Sequence, residues 1–219
     1  MKVDVRLNAI VDPERANGRS LADLTRMVVA GGATLIQLRD KHGATRQMIE
    51  EARALKAVLA GSGVPLVVND RVDVALIAAA DGVHVGQDDM RAADARRLLG
   101  PNAIIGLSIK SVALANAAPL EALDYVGVGG VYATTSKESP DRPIGVNGLR
   151  EIVAAFRART RDLPICGIAG IDTANAAPVI AAGADGVAVI SALSMQADPR
   201  AAARELRAVV DAALQARLK

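Results

Sequence analysis

Short apolar runs alternate with longer amphipathic segments along the whole chain, and this alternation most constrains its fold. Eight apolar runs predict strands at residues 6–11, 35–39, 66–69, 83–85, 104–108, 125–129, 165–168 and 187–190. Continuous apolar runs are typical of parallel strands that are buried on both faces. Eight such strands with helices between them predict the α/β class and a single (β/α)8 TIM barrel.

The segments between these runs show helical periodicity. In residues 45–60, apolar residues recur at spacings of four, three and four, which places them on one helix face: Met48, Ala52, Leu55 and Leu59. Further helices are predicted at residues 21–30, 72–79, 92–99, 112–117, 149–159, 174–182 and 199–214. The 219 residues suit one barrel, so we expect a single TIM-barrel domain over 1–219.

A weak internal repeat agrees with a barrel built from two-strand quarters. Similar tetrapeptides with small residues precede the second, fourth, sixth and eighth predicted strands: residues 31–34 (GGAT), 79–82 (AADG), 121–124 (EALD) and 183–186 (GADG). Small residues let a helix end turn tightly into the next strand. The repeat therefore favours alternating strand environments with a period of two.

Composition excludes several classes of function. The formal net charge is +2 and basic residues are scattered, so no nucleic-acid partner is expected. No apolar stretch long enough to span a membrane is present, and the N-terminus has no apolar signal region, so we expect a cytoplasmic protein without a membrane partner. The single cysteine, Cys166, excludes an internal disulfide and a cysteine-based metal cluster, and its apolar strand predicts an inert core thiol.

Three predicted strands end at residues that can hold phosphate or a metal ion. Arg39 and Lys41 follow the second strand, Asp70 follows the third, and Asp88 and Asp89 follow the fourth. Active sites of (β/α)8 barrels lie at the C-terminal strand ends, where Arg and Lys bind phosphate and a carboxylate pair can bind Mg²⁺. A site for a polyphosphate and Mg²⁺ is therefore predicted, although Asp70 could instead cap the following helix.

A second phosphate site is suggested on the other side of the barrel. Gly170 and Ser191 end the seventh and eighth strands, where such barrels commonly bind a phosphate monoester. The alternative is that Gly170 only makes a turn before a helix capped by Asp172. Residues 133–146 form a long polar loop of the kind that is usually functional. His84 lies within a strand and is predicted to be a hydrogen-bonded barrel histidine rather than a metal ligand.

Taken in order, these motifs resemble the thiamine-phosphate synthase family over essentially the whole chain. The strongest matches are residues 37–41 (QLRDK), 69–73 (NDRVD), 81–89 (DGVHVGQDD) and 185–191 (DGVAVIS). The resemblance implies an enzyme, a transferase of thiamine biosynthesis. Such enzymes join a hydroxymethylpyrimidine diphosphate to a thiazole (or carboxythiazole) phosphate and release pyrophosphate, with Mg²⁺ as cofactor and small molecules as partners.

The resemblance also implies a role for individual residues. Arg39, Lys137 and Ser108 would be catalytic, and Asp70 and Asp89 would be the Mg²⁺ ligands. The pyrimidine diphosphate would be bound by Gln37, Arg39, Lys41 and Asn69, with Lys137 contacting the pyrophosphate. Ser108, Thr134 and Ser136 would contact the pyrimidine and the thiazole phosphate, and Gly170, Ile190 and Ser191 would form the thiazole-phosphate pocket. An oligomer is compatible with this sequence.

Four positions depart from the family pattern. Gly130 replaces a usual proline, Lys110 a histidine after the fifth strand, Ser136 a threonine and Ala169 the first of two glycines. Two rival functions use the same fold: a thiazole tautomerase, which is expected to use a histidine where this chain has Lys110, and a non-catalytic thiazole-phosphate binder, which would lack Arg39 or Asp70. An epimerase or aldolase would need a second base or a Schiff-base lysine within a strand, which the apolar strands do not offer.

Overall fold

A computed structural model describes residues 3–136 and 142–218. Eight parallel strands pair in sequence order, and β8 pairs with β1, so the sheet closes into a barrel. The strands are β1 Leu7–Val11, β2 Leu35–Leu38, β3 Leu66–Asn69, β4 Gly82–Val85, β5 Ile104–Ile109, β6 Tyr125–Gly129, β7 Ile165–Ile168 and β8 Gly186–Val189. The predicted (β/α)8 TIM barrel is confirmed.

Helices lie between consecutive strands and after the last. They are α1 Leu21–Ala30, α2 Thr45–Leu59, α3 Val72–Ile77, α4 Ala92–Leu99, α5 Val112–Ala117, α6 Gly145–Arg159, α7 Ala176–Ala181, α8 Ser191–Ser194 and α9 Pro199–Arg217. Short 3-10 turns span Pro13–Arg15 and Leu120–Ala122. The sequence pattern missed α8, because four residues are too few to show helical periodicity. In the described ranges, no helix is long and apolar enough to cross a membrane.

Successive residues along each strand point alternately into two apolar cores. One set faces the helices and packs with residues such as Met48, Leu55 and Phe156. The other set points into the barrel, where apolar side chains from five strands cluster with Tyr125: Ile10, Leu35, Val67, Cys166, Ile168 and Ala188. Cys166 is buried, and burial raises the pKa of its thiol to about 12, in agreement with the predicted inert thiol.

The tetrapeptide repeat corresponds to four equivalent hydrogen-bonded corners at the N-terminal end of the barrel. At each corner, a side-chain oxygen of the last residue before an even-numbered strand accepts a hydrogen bond. The donor is the first or second backbone N–H group of the preceding odd-numbered strand. The acceptor and donor pairs are Thr34 with Leu7 at 3.0 Å, Asp81 with Leu66 at 2.7 Å, Asp124 with Ile105 at 2.7 Å, and Asp185 with Ile165 at 3.0 Å.

At three of these corners, the corner residue also forms an ion pair with a basic side chain from a helix. Lys56, Arg96 and Arg157, from α2, α4 and α6, pair with the corner aspartates Asp81, Asp124 and Asp185. Each aspartate thus joins two neighbouring strands and the helix that precedes the first of them. Hydrogen bonds and ion pairs therefore connect strands and helices at the N-terminal end of the barrel. The C-terminal strand ends remain available for a functional site.

Candidate active site

Arg39 and Asp12 form a largely buried ion pair at the C-terminal ends of β2 and β1. Their side chains are only 15% and 2% exposed. Arg39 continues the sheet, because its N–H donates to the Val11 carbonyl at 2.9 Å. The second oxygen of Asp12 accepts from the Glu14 N–H at 3.0 Å. Asp12 thus holds one side of the guanidinium, and the forked group retains N–H donors for a phosphate.

The turn after β2 is shaped by Asp40. Its Oδ1 accepts hydrogen bonds from the backbone N–H groups of His42 at 3.0 Å and Gly43 at 2.7 Å. A Cβ on residue 43 would lie 1.7 Å from the Asp40 carboxylate, so a side chain there would displace the carboxylate that shapes this turn. This turn directs Lys41 across to the next strand end, where its ammonium group contacts the carboxylate of Asp70.

Asp70 and Asp89 bring two carboxylates together beyond β3 and β4. The Asp70 N–H donates to the His84 carbonyl at 2.7 Å, and its backbone takes a left-handed φ of +65°. Asp89 accepts from the Gly86 N–H at 2.7 Å. Partial burial, and next the hydrogen bond to Asp70, raise the pKa of Asp89. The contact selects Asp89 over its neighbour Asp88 as the partner of Asp70.

The helix-capping alternative for Asp70 does not hold. Helix α3 begins after Arg71, which occupies the cap position, and no side chain caps it. Arg71 instead pairs with Asp73, and this hydrogen bond lowers the pKa of Asp73. The Asp70 carboxylate is therefore directed to Lys41 and Asp89 rather than to the helix.

This pair of carboxylates suits a hard divalent cation that draws its other ligands from elsewhere. In the part of the chain that the structure describes, no group of three or more His, Cys, Asp or Glu side chains could hold a metal. Mg²⁺ is commonly bound by one or two carboxylates together with substrate phosphate oxygens and water. The donor set therefore fits Mg²⁺ in a substrate complex.

A second cluster surrounds a cavity of about 530 Å³ at the C-terminal ends of β7 and β8. The hydroxyl oxygens of Ser136 and Ser191 lie 2.9 Å apart, and Thr134 accepts from the Ser136 N–H at 3.1 Å. Gly170 and Ile190 line the same cavity. A Cβ on residue 170 would lie 2.4 Å from the Ala133 carbonyl, so this close approach requires glycine.

At the seventh strand, the structure contradicts the predicted helix cap by Asp172. Asp172 accepts from the Ala174 N–H at 2.8 Å, whereas helix α7 begins two residues later than predicted, with Asn175 in the cap position. Gly170 therefore does more than turn the chain, because it also lines the cavity.

The predicted pyrimidine contacts Gln37 and Ser108 face the barrel interior, with Asn69 at the end of β3. Ser108 lies 2.9 Å from the Nε2 of His84, and the Nδ1 of His84 lies 2.9 Å from the Tyr125 hydroxyl. His84 is thus a buried, hydrogen-bonded barrel histidine, as predicted. Gln87 also reaches this region, because its amide donates to the Ser108 carbonyl at 2.6 Å. Lys137 lies outside the described residues.

Sequence reasoning missed Asp12 and Tyr125. Asp12 directly follows β1, as Asp70 follows β3, so the rule used for the other strand ends would have found it. Tyr125 opens β6 at the N-terminal end of the barrel, and its sequence neighbours carry no sign of a site. Only two glycines could have indicated a close contact: Gly106, on the strand between those of His84 and Tyr125, and Gly127, on the strand of Tyr125 itself.

Comparisons with known proteins identify the family. The sequence pattern of the family described as thiamine monophosphate synthase matches residues 7–193. Thiamine-phosphate synthase from Agrobacterium fabrum is 51% identical over 216 residues, which cover 99% of this chain and 98% of that protein. The Chloroflexus aurantiacus thiamine-phosphate synthase is 50% identical, over 95% of this chain and 94% of that one.

A solved structure agrees with these sequence relationships. Thiamine phosphate pyrophosphorylase from Pyrococcus furiosus superposes with a TM-score of 0.83 at 37% identity, over 97% of this chain and 98% of that chain. The predicted enzyme class, a transferase of thiamine biosynthesis, is confirmed. The chain belongs to the thiamine monophosphate synthase family.

Proposed function

We propose that this chain joins a hydroxymethylpyrimidine diphosphate to a thiazole phosphate, forming thiamine phosphate and pyrophosphate. The observation that carries the proposal is the presence of two separate clusters at one end of the barrel. One cluster combines Arg39 and Lys41 with the carboxylates of Asp70 and Asp89. The other is the hydroxyl-lined cavity around Ser136 and Ser191. Two phosphorylated substrates need two such sites.

We assign the first cluster to the pyrimidine diphosphate. Arg39, whose guanidinium group is paired with Asp12, would bind the diphosphate through two parallel hydrogen bonds. Lys41 would act as a point charge. Lys41 would exchange its present partner, Asp70, for phosphate oxygens when substrate arrives. Asn69 would add a neutral contact from the end of β3, and Lys137 would contact the departing pyrophosphate.

We assign Mg²⁺ to Asp70 and Asp89. Bringing these carboxylates together raises the pKa of Asp89, chiefly through burial and then through Asp70, so a divalent cation would be favoured between them. Bound there, Mg²⁺ would neutralise charge on the departing pyrophosphate. The family is consistent with a metal-dependent reaction.

We assign the second cluster to the thiazole phosphate. Thr134, Ser136 and Ser191 offer hydroxyl groups, and Gly170 allows the backbone to approach the anion closely. Ile190 would pack against the apolar part of the thiazole. A site lined by neutral hydroxyl groups binds a phosphate monoester more weakly than a cationic site does. The thiazole substrate should therefore be released more readily than the pyrimidine diphosphate.

The residues suggest a dissociative reaction. The carbon–oxygen bond to pyrophosphate would break first, and the thiazole nitrogen would then attack the resulting pyrimidine methyl cation. The attacking nitrogen carries no proton, so no general base is needed. Arg39 and Lys137 would stabilise negative charge as it develops on the leaving group. Water must be excluded because it would trap the cation.

The rival functions have less support. A tautomerase would not need the Arg39, Asp70 and Asp89 set, and a thiazole-phosphate binder would not need to keep it. A cytoplasmic location, one domain over 1–219 and the oligomeric state stay predictions.

Turnover by the purified protein tests the proposal. With both substrates and Mg²⁺, thiamine phosphate and pyrophosphate should form in equal amounts, and EDTA should stop the reaction until Mg²⁺ is restored. Asp70→Ala should lose activity while it stays folded. Full turnover in EDTA would overturn the metal assignment, and isomerised thiazole phosphate without any thiamine phosphate would favour the tautomerase.

A further inference from the structure

Two arginines between β1 and α1 reach across the C-terminal end of the barrel toward the second cavity. The Arg15 guanidinium donates a hydrogen bond to the Thr135 carbonyl at 2.7 Å. We call residues 133–136 the β6 wall of this cavity and residues 190–196 its β8 wall. The Arg19 guanidinium donates to three carbonyls, at 3.1, 3.0 and 3.0 Å: those of Ser194, Gln196 and Ala197. Each arginine therefore contacts a different wall.

The segment that carries both arginines has a defined backbone. Asp12 and Pro13 begin a 3-10 turn that ends at Arg15, where the Asp12 side chain caps the turn and the proline ring fixes one backbone dihedral. The Arg15 N–H donates back to the Asp12 carbonyl at 3.0 Å. Asn17 then takes a left-handed φ of +52°, which asparagine tolerates better than most residues. Local hydrogen bonds and backbone preferences therefore fix where the two arginine side chains begin.

Arg19 satisfies carbonyl groups at the end of a short helix. Ser194 is the last residue of α8, and the last carbonyls of a helix have no intrahelical partner. The planar guanidinium group has five N–H donors in a fixed arrangement, so one arginine can bind several carbonyls at once. Met195 and Gln196 line the cavity within the segment that Arg19 contacts. Arg19 therefore fixes the shape of the β8 wall.

Arg15 acts on the β6 wall through one peptide group. The Thr135 carbonyl that accepts from Arg15 and the Ser136 N–H belong to the same planar unit, and this N–H donates to the Thr134 hydroxyl at 3.1 Å. Arg15 and Thr134 therefore hold one peptide group from its two sides. The Ser136 hydroxyl lies 2.9 Å from the Ser191 hydroxyl of the β8 wall. Without Arg15, this peptide group could rotate and the two hydroxyls could separate.

Both arginines act from outside the cavity. The described residues that line it do not include Arg15 or Arg19. We infer that Arg15 and Arg19 are positioning residues that hold Ser136 and Ser191 at the spacing at which both hydroxyls bind the thiazole phosphate. A pocket whose donors are already held in place loses less conformational freedom on binding. This inference rests on the proposed function and adds the residues that shape its second site.

Calorimetry with thiazole phosphate alone, and separately with pyrophosphate and Mg²⁺, tests the inference. Arg15→Met keeps most of the apolar stem and removes the donors. We expect it to bind thiazole phosphate about tenfold more weakly, the loss of roughly one hydrogen bond to a charged group, and to bind pyrophosphate as the wild type does. Arg15→Lys keeps a donor on a long stem and should recover part of the loss. Arg26→Met is the matched control, because Arg26 is an exposed arginine of α1 that pairs with Asp23, and it should bind both ligands normally.

Salt distinguishes positioning from direct attraction between the Arg15 charge and the phosphate. Attraction between exposed charges is screened by salt, whereas a wall held by a hydrogen bond keeps its geometry. The affinity ratio of wild type to Arg15→Met should therefore stay the same at low and high salt concentrations.

A double-mutant cycle distinguishes positioning from a general structural effect. If Arg15 acts through the Ser136 hydroxyl, Arg15→Met should weaken thiazole-phosphate binding by less than about twofold in a Ser136→Ala background. Arg19→Met and Ser191→Ala should show the same non-additivity. If Arg19→Met does not fold, Arg19→Lys takes its place in the cycle, with a smaller expected loss.

The outcomes separate this inference from the proposed function. If the wild type makes thiamine phosphate but Arg15→Met binds thiazole phosphate as tightly as the wild type, or loses the same factor in both backgrounds, the inference is overturned and the proposed function stands. An affinity ratio that falls toward one at high salt, or an equal loss of pyrophosphate binding, would overturn it as well. If the wild type neither binds thiazole phosphate nor makes thiamine phosphate, both are overturned.

Discussion

Asp70 combines an unfavourable backbone conformation with a useful side-chain position. Left-handed φ values cost a residue with a Cβ roughly 1–2 kcal/mol, although aspartate tolerates them better than most. In return, the carboxylate meets Lys41 and Asp89 at the strand ends. Strain of this kind is common at functional sites. Here it accompanies the repulsion between two carboxylates, which a cation would relieve.

The raised pKa of Asp89 predicts a pH effect on stability without divalent cation. The folded protein holds this proton more tightly than the unfolded chain, so stability falls as pH rises from the ordinary value of 3.8 through the raised pKa. Asp89→Asn removes the penalty. In EDTA, the variant should melt at a higher temperature than the wild type at pH 7, and the difference should shrink toward pH 4.

Thermal denaturation between pH 4 and pH 7 provides the measurement. Added Mg²⁺ should raise the melting temperature of the wild type more than that of Asp89→Asn. Asp88→Asn is the neighbouring control and should show neither effect. An Asp89→Asn protein that is less stable than the wild type in EDTA at neutral pH would contradict the account.

Ala169 is the second informative residue, because it holds a left-handed φ of +85°, a conformation that favours glycine. Ala169→Gly should relieve this strain and raise the free energy of unfolding by about 0.5–1 kcal/mol, after allowing for the greater freedom of glycine in the unfolded chain. Ala78→Gly is the control, since Ala78 has a right-handed φ of −81° and should lose stability instead. Chemical denaturation measures both, and destabilisation by Ala169→Gly would refute the strain.

At the element scale, the barrel corners explain how strand pairs are fixed. Asp81 receives the buried Leu66 N–H and also Lys56. Asp81→Ala should reduce the free energy of unfolding by about 1–3 kcal/mol, because an N–H group loses its acceptor. Lys56→Met should cost only about 0–1 kcal/mol, because both partners of this ion pair are about one-third exposed. Urea denaturation of the two variants would test the ranking, and equal losses would mean that the ion pair dominates.

Strand and helix positions were largely predictable, and the misses have local causes. Parallel strands that are buried on both faces leave unbroken apolar runs, so β3, β6 and β7 match their predicted bounds. Helix α6 begins at Gly145 rather than at the predicted residue 149. Its first turn contains two glycines, which have low helix propensity, so the apolar pattern alone begins at Leu149.

The candidate site was predictable where its chemistry sits at a strand end. Asp70 and Arg39 follow apolar runs directly, so barrel topology alone groups them. The hydrogen bond between His84 and Tyr125 was not predictable in this way, because this contact depends on strand register across Gly106. No periodicity in one segment specifies the register between β4, β5 and β6.

At the scale of the whole molecule, position rather than cavity size identifies the site. A larger cavity of about 1090 Å³ lies at the N-terminal end, beside the corner residues Thr34, Asp81 and Asp124. The polar side chains of those residues already accept hydrogen bonds from strand N–H groups, and the two aspartates also form ion pairs with helix residues. The smaller cavity lies at the C-terminal end, where helix and strand geometry leaves polar groups available for ligands. We therefore assign ligand binding to the C-terminal end, which holds the smaller cavity. The residues beside the larger cavity contribute to the stability of the barrel.

The central claim is that two substrates occupy two distinct anion sites at one end of the barrel, and calorimetry with each substrate alone tests it most directly. Arg39→Ala should weaken pyrimidine-diphosphate binding by about 1.5–3 kcal/mol and leave thiazole phosphate unaffected. Ser191→Ala should weaken thiazole-phosphate binding by about 1 kcal/mol and leave the diphosphate unaffected. Exchanged effects, or equal losses of both ligands in either variant, would contradict the two-site account.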